Sequence, residues 1–164
     1  MPDNDVGCVL TPLKWARWAV EKFDLTRRWL DGAVILEPTA GQGAFLEVLI
    51  AAALESGWNP DDKQLARLYG VELKPESRHH FLQKIKNKYE VNFPERNIVA
   101  GDYLFDLNTP PADIAVGNPP WVNFTDLEND YKERLKPLFH KYALVEKGNS
   151  ILLGGSRVDL AALV

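Results

Sequence analysis

Cysteine is nearly absent from these 164 residues: there is one, Cys8, and there are only three histidines, His79, His80 and His140. An internal disulfide is excluded, and so is a four-ligand metal site of the Cys/His kind, so the sequence points to a metal-free, cytoplasmic protein. Long apolar runs are missing too. No stretch approaches the roughly 20 apolar residues of a membrane span, and the opening MPDNDVGCVLTP has neither the basic end nor the apolar centre of a signal peptide. A basic excess is also lacking: 19 Lys and Arg stand against 23 Asp and Glu, a formal net charge of -4. If nucleic acid is the substrate, most of the charge that binds phosphates must lie elsewhere. What is present, 46% hydrophobic and 26% charged residues with no repeat or low-complexity tract, is the balance of one globular domain with ample material for a core.

Leu13, Trp15, Ala16, Trp18, Ala19, Val20 and Phe23 recur at helical spacing, with Thr11 as N-cap and Pro12 at the first helical position. This predicts a helix over about 12–30, with Trp15, Trp18 and Trp29 in the core. From about residue 33 the chain alternates. AVILEP reads as a strand, TAGQGAF as a glycine loop and FLEVLIAAALE as a helix. LARLYGVEL then ends a second strand near Glu72, and PESRHHFLQKIKNKYE is a helix with Phe81, Leu82 and Ile85 on one face. NIVAGDYL and ADIAVGNPPW give two further strands, ending near Asp102 and Asn118. Strands alternating with helices predict an α/β fold with a parallel sheet.

In an open parallel sheet, ligands sit beyond the carboxyl ends of the strands, where the strand order reverses. All four predicted strands end there in a polar residue: Glu37, Glu72, Asp102 and Asn118. Gly41 and Gly43 lie where a strand turns into a helix, so they can adopt backbone angles barred to other residues and let a ligand approach the main chain. The helix that follows offers N–H groups to an anion such as a carboxylate or phosphate. A dinucleotide does not fit. Leu46 replaces the third glycine of GxGxxG, and Glu72 falls 35 positions after Glu37, where the fingerprint expects an acid about 20 residues after the loop. No GK[ST] follows, which excludes a P-loop. There remains a nucleoside-like ligand without phosphates, with Glu72 accepting from the ribose hydroxyls and Asp102 from an exocyclic amine.

Asn118-Pro119-Pro120-Trp121 is the most specific element. The two prolines carry no backbone N–H, so this rigid segment offers acceptors without donors. Such a cluster suits a substrate amino group, whose hydrogens can bond to the Asn118 side-chain oxygen and the Pro119 carbonyl. Trp121 supplies a stacking face for a planar base.

At this point the chain resembles the S-adenosylmethionine-dependent DNA adenine-N6 methyltransferases of the restriction-modification type, in the gamma class whose motifs run from a TP segment through the glycine loop to NPPW. The residues that carry the resemblance are TPLKWARWAV (11–20), ILEPTAGQGAFL (35–46), GVELKPE (70–76), AGDYL (100–104), DIAVGNPPWV (113–122) and SRVDLAALV (156–164). It implies a Rossmann-like methyltransferase fold with S-adenosyl-L-methionine as cofactor. Thr11, Glu37, Ala40, Gly41 and Gly43 would hold the methionine part, Glu72 the ribose, Asp102 and Tyr103 the adenine. Asn118, Pro119, Pro120 and Trp121 would take the target base, flipped out of the duplex.

The same resemblance makes residues 1–164 a catalytic domain that is incomplete at its C-terminal side, because the chain stops at DLAALV where the family continues into further strands and a target-recognition domain. DNA is then the expected partner, through a recognition part largely absent here, with a partner chain able to complete the sheet. Residues 132–147 carry Lys132, Arg134, Lys136, Lys141 and Lys147 against Glu133 and Glu146, a local net charge of +3 that fits either a solvated helix face or a phosphate contact. Two alternatives stand beside this reading: a SAM-binding module that is inactive or depends on a partner, and a methyltransferase acting on protein glutamine or RNA.

Overall fold

A computed structural model describes residues 9–106, 109–144 and 159–164; Cys8, Lys147 and most of the SRVDLAALV segment lie outside the described residues. Two compact units divide the chain, one over Leu10–Asn118 and one formed by Pro119–Val164 together with the N-terminal residues. Among the described residues no helix is long and apolar enough to cross a membrane.

The larger unit runs α1 (Leu13–Lys22), α2 (Leu25–Leu30), β1 (Ile35–Glu37), α3 (Ala44–Glu55), α4 (Asp62–Leu65), β2 (Leu68–Glu72), α5 (Pro75–Tyr89), β3 (Ile98–Ala100) and β4 (Ile114–Ala115). Its strands pair in the order β3-β2-β1-β4, all parallel. The expected α/β class and the four strands are therefore present. Successive strand residues face opposite sides of a sheet. Ile35, Leu68 and Ile98 join Leu46 and Leu49 of α3, Trp29 of α2, Ala16 and Val20 of α1, and Phe81 and Ile85 of α5 in one core. Helix α3 is nearly apolar all round, as a helix enclosed by α1, α2 and the sheet must be. Gly70 of β2 admits this packing: a methyl group there would lie 3.0–3.2 Å from Ile98, Ala40 and Leu46.

The N-terminal helix departs from expectation. It breaks at Phe23–Asp24, where Asp24 takes a left-handed conformation (φ 53°) and Arg27 bonds to its carboxylate at 2.6 Å. The break turns the second segment so that Trp29 is fully buried, its indole N–H donating to the Gln64 carbonyl at 2.8 Å. Trp15 and Trp18 are not core residues: they are 58% and 55% exposed. Helix α1 rests on α3 through Ala16 and Val20, whose small faces suffice for close packing, so the indoles point outward. The N-cap is Pro12 rather than Thr11, and no side chain caps α1.

In the smaller unit, α6 (Asn129–Lys141) buries Leu135 and Phe139, and Phe139 meets Phe124 edge to face at 5.5 Å. An antiparallel bridge joins Asn123 to Asp159. Lys132 donates to the Thr125 carbonyl at 2.6 Å and Lys136 pairs with Glu133, so part of the basic stretch is engaged within its own unit.

These burial differences separate the tryptophans energetically. Trp29→Ala is expected to lower unfolding stability by about 3–5 kcal/mol, whereas Trp18→Ala stays within about 0.5 kcal/mol, both read from urea unfolding.

Candidate functional site

Strand β1 has β2 on one side and β4 on the other, so the strand order reverses between β1 and β4. The crevice beyond their carboxyl ends is where ligands bind in sheets of this type. The chain leaves β1 through Pro38 and Thr39, and leaves β4 through Gly117 and Asn118. These segments touch: a methyl group on Gly117 would lie 3.3 Å from the Pro38 ring, and the Thr39 hydroxyl donates to the Asn118 carbonyl at 3.4 Å.

The glycine loop fills the space between β1 and α3. Gly41 (φ 54°) and Gly43 (φ 68°) are both left-handed, as the tight reversal requires. Their roles differ. A Cβ on Gly43 would lie 2.3 Å from the Phe81 ring, so this glycine exists for packing against α5. A Cβ on Gly41 would meet only the Leu10 side chain, at 3.5 Å, so Gly41 keeps the open approach expected of both. The same contact brings the segment before α1, with half-buried Thr11, to the loop. The loop is held by bonds from three sides. Gly41 N–H donates to Glu72 at 2.7 Å, Gly43 N–H to the Ala40 carbonyl at 2.7 Å, and Lys84 to the Gln42 carbonyl at 2.9 Å.

The four polar strand ends are not level. Glu37 pairs in register with Gly70, two residues short of Glu72 on β2, so it lies one step deeper than Glu72. It is 2% exposed, and its carboxylate accepts from the Phe45 and Leu46 N–H groups at 3.3 and 3.2 Å. The first N–H groups of α3 are thus in part satisfied by the protein's own carboxyl group. Burial pushes the Glu37 pKa up to about 8, against the lowering effect of these two N–H groups and of Lys84. Glu72 is half-buried, with one oxygen accepting from Gly41 and the other from Lys74 N–H at 2.8 Å. Burial raises its pKa as well, opposed by the backbone N–H groups of Lys74, Gly41 and Leu73 and by the Lys74 charge.

Asp102 follows β3 by two residues, and its carboxylate accepts from Leu104 N–H at 2.9 Å, while its own N–H donates to Asp106 at 3.0 Å. The tight turn of residues 101–106 therefore carries Asp102 and Tyr103 at the sheet edge. Tyr103 borders an open pocket of about 360 Å³, lined otherwise by Leu36, Ala115 and the segment 109–112. Leu36 and Ala115 pair in register and alternate with Ile35 and Glu37, so this pocket lies on the sheet face away from α3. The larger unit thus gathers Ala40, Gly41, Glu72, Asp102 and Asn118 at one sheet edge, while Pro119, Pro120 and Trp121 follow in the smaller unit. Trp121 is 61% exposed.

Sequence reasoning missed Thr39 and Lys84. Lys84 stands on the apolar face of α5 with Phe81, Ile85 and Lys88, at spacings of three, four and seven. A charge on a buried face opposite Glu47, the lone acid inside the apolar run of α3, was the available signal.

The fold is that of the class I S-adenosylmethionine-dependent methyltransferases. A candidate enzyme of that class from Listeria monocytogenes superposes with a TM-score of 0.52 at 14% identity, over 84% of this chain and 39% of that one. A modification subunit of a candidate type I restriction enzyme from Vibrio vulnificus gives 0.50 at 19% identity, over 79% of this chain and 28% of that one. In sequence, the chain is 28% identical to the type II methyltransferase M.BstVI of Geobacillus stearothermophilus, in an alignment of 136 residues that takes in 68% of this chain and 24% of the relative. The chain therefore spans about a quarter of that relative's length. No family profile matches the sequence.

Glu37 makes stability depend on pH. Its raised pKa means that the folded state binds more protons than the unfolded one between ordinary carboxylate pH and about 8. The associated stability is complete below the unfolded pKa and is lost as pH rises through the folded one. Comparing urea unfolding at pH 5 and pH 8.5, Glu37→Gln should remove a decline of on the order of 3–4 kcal/mol seen in the parent.

Proposed function

We propose that this chain is the cofactor-binding, catalytic-side part of an S-adenosylmethionine-dependent methyltransferase that modifies the exocyclic N6 amine of adenine in DNA, within a restriction-modification system. The observation that carries this is the convergence at the strand-order reversal of the Gly41–Glu72 pair on one side and the Thr39–Asn118 pair on the other. The printed name of M.BstVI and the description of the Vibrio protein as a modification subunit support the restriction-modification setting.

The donor set fits S-adenosylmethionine. Glu72 accepts from the backbone N–H groups of Gly41, Lys74 and Leu73, and the acceptor capacity that remains on its carboxylate suits a ribose hydroxyl. A carboxylate there suits hydroxyl donors and would repel the negative charge of a 2′-phosphate. Since Glu37 occupies the Phe45 and Leu46 N–H groups, the methionine carboxylate is left to the loop backbone at Gln42 and Ala44, beside Thr11. Asp102 and Tyr103, on the turn after β3, would hold the adenine.

When bound, the cofactor supplies an electrophilic methyl group on a sulfonium. The protein's task is to make a poor nucleophile adequate. The adenine amine delocalises its lone pair into the ring; accepting its two hydrogens at the Asn118 side-chain oxygen and the Pro119 carbonyl turns the nitrogen toward tetrahedral geometry and frees that pair. Asn118 and Pro119 would hold the amine toward the methyl group that a bound cofactor would supply, and the proton released by the amine would pass to solvent. Such catalysis is positioning and electrostatics without a covalent enzyme intermediate. With a net charge of -4, DNA binding draws on basic surface beyond these residues.

Calorimetric titration with S-adenosylmethionine, with NAD in parallel, tests the cofactor: saturable binding of the first alone is expected, and binding of neither by the folded chain would overturn the reading. Glu72→Ala should weaken binding by about 1.5–3 kcal/mol, the range for hydrogen bonds to a charged group. Asn118→Ala should abolish methyl transfer to DNA while affinity for the cofactor stays within a few-fold of the parent; equal losses of affinity in both variants would sink the assignment of roles.

A further inference from the structure

Lys84 reaches two places at once: its Nζ lies 2.7 Å from a Glu47 carboxylate oxygen on α3 and donates to the Gln42 carbonyl in the glycine loop at 2.9 Å. Glu47 is 1% exposed, and it also accepts from Lys88 Nζ and the Tyr89 hydroxyl, each at 2.9 Å. Burial would raise the Glu47 pKa, but the bonds from Lys84, Lys88 and Tyr89 outweigh it and hold the group below the ordinary range, so the carboxylate stays ionised. A buried ion pair of this kind is a poor source of stability, because desolvation of both charges offsets most of their attraction and apolar residues of similar volume do as well. Its consequence here is geometric. Glu47 fixes the Lys84 ammonium, and the ammonium fixes the direction of the Gln42 carbonyl.

That carbonyl belongs to the peptide between Gln42 and Gly43, with a left-handed glycine on either side of Gln42. Peptide units flanked by glycine rotate with little steric cost. In this loop the rotation would also turn the Gly43 N–H away from the Ala40 carbonyl, to which it donates at 2.7 Å. We propose that Lys84 is a positioning residue for the cofactor: oriented by Glu47, it locks the Gln42–Gly43 peptide and thereby holds the glycine loop in the one conformation that receives S-adenosylmethionine. This rests on the cofactor reading above. Affinity follows the fraction of molecules in the competent loop conformation, so releasing the peptide weakens binding without removing a ligand contact.

Lys88 supplies the control, since it shares Glu47 but touches no loop atom among the described bonds. Four variants, Lys84→Met, Lys84→Gln, Lys84→Arg and Lys88→Met, are titrated with S-adenosylmethionine, and amide hydrogen exchange of Gly43 is followed in the ligand-free chain. Lys84→Met and Lys84→Gln should each bind at least about tenfold more weakly and exchange Gly43 at least about tenfold faster, Lys88→Met should stay within about twofold in both, and Lys84→Arg should recover most of the loss. Two substitutions at Lys84 keep the comparison available if one of them fails to fold. Equal losses in the Lys84 and Lys88 variants, or unchanged Gly43 exchange beside intact parental binding, would overturn the proposal alone. A parent chain that binds no S-adenosylmethionine would overturn the cofactor reading beneath it, while faster Gly43 exchange on loss of Lys84 would still support the lock.

Discussion

The contact between Gly43 and the Phe81 ring sets the distance between the glycine loop and α5, and the geometry of the sheet edge depends on it. Phe81 is buried against Phe93 at 5.1 Å, edge to face, and shares the core with Ile98 and Leu68. The ring therefore cannot retreat, and the loop can approach it only where the chain has no side chain. With Gly43 seated, α3 starts directly above β1. That start brings the Phe45 and Leu46 N–H groups over Glu37 and leaves Gly41 standing clear beside Glu72.

Two buried carboxylates divide the work in this region, and their surroundings explain why they differ in charge. Glu37 faces two backbone N–H groups at long distance and no ammonium within bonding reach, so desolvation dominates and the group holds its proton into mildly alkaline conditions. Glu47, only a few turns of chain away, meets two ammonium groups and a phenol, and desolvation loses. One acid therefore caps α3 largely as a neutral group, while the other binds α5 to α3 as an anion. Uncompensated burial of two anions in one small core would cost several kcal/mol each; here one is avoided and one is paired.

Much of this was legible in the sequence, because the strongest patterns were local. AVILEP, LYGVE and NIVA are short apolar runs that end in polar residues, and three parallel strands stand where they were expected, with a fourth reduced to Ile114–Ala115. The glycine loop was legible for the same reason. What escaped was everything decided by tertiary contact. Helical spacing runs through Phe23 and Asp24 without interruption, yet the turn there is imposed by the need to seat Trp29 under Gln64. Periodicity could not separate Trp29 from Trp15 and Trp18, since all three fit a helix; only the smallness of Ala16 and Val20 as the actual contact surface decides which indoles are left outside.

The division between Gly41 and Gly43 was likewise invisible, although both were singled out. Spacing says that a strand-to-helix turn needs glycine twice, and both residues do adopt positive φ. It says nothing of what lies opposite. One glycine faces a buried aromatic ring and the other faces a leucine at ordinary contact distance, so substitution at the first is barred by the core and at the second by the backbone and by whatever must approach it. The level of Glu37 follows the same logic. Counting residues to the end of a strand places four polar groups on one edge, but parallel register and the alternation of faces set Glu37 one step down and turn it toward α3. Glu72 lies two residues beyond the level of Glu37, and Asp102 follows two residues after the end of β3. That sheet edge presents a carboxylate at β2, a capped turn at β3 and the Asn118 segment at β4, with β1 contributing mainly its loop backbone.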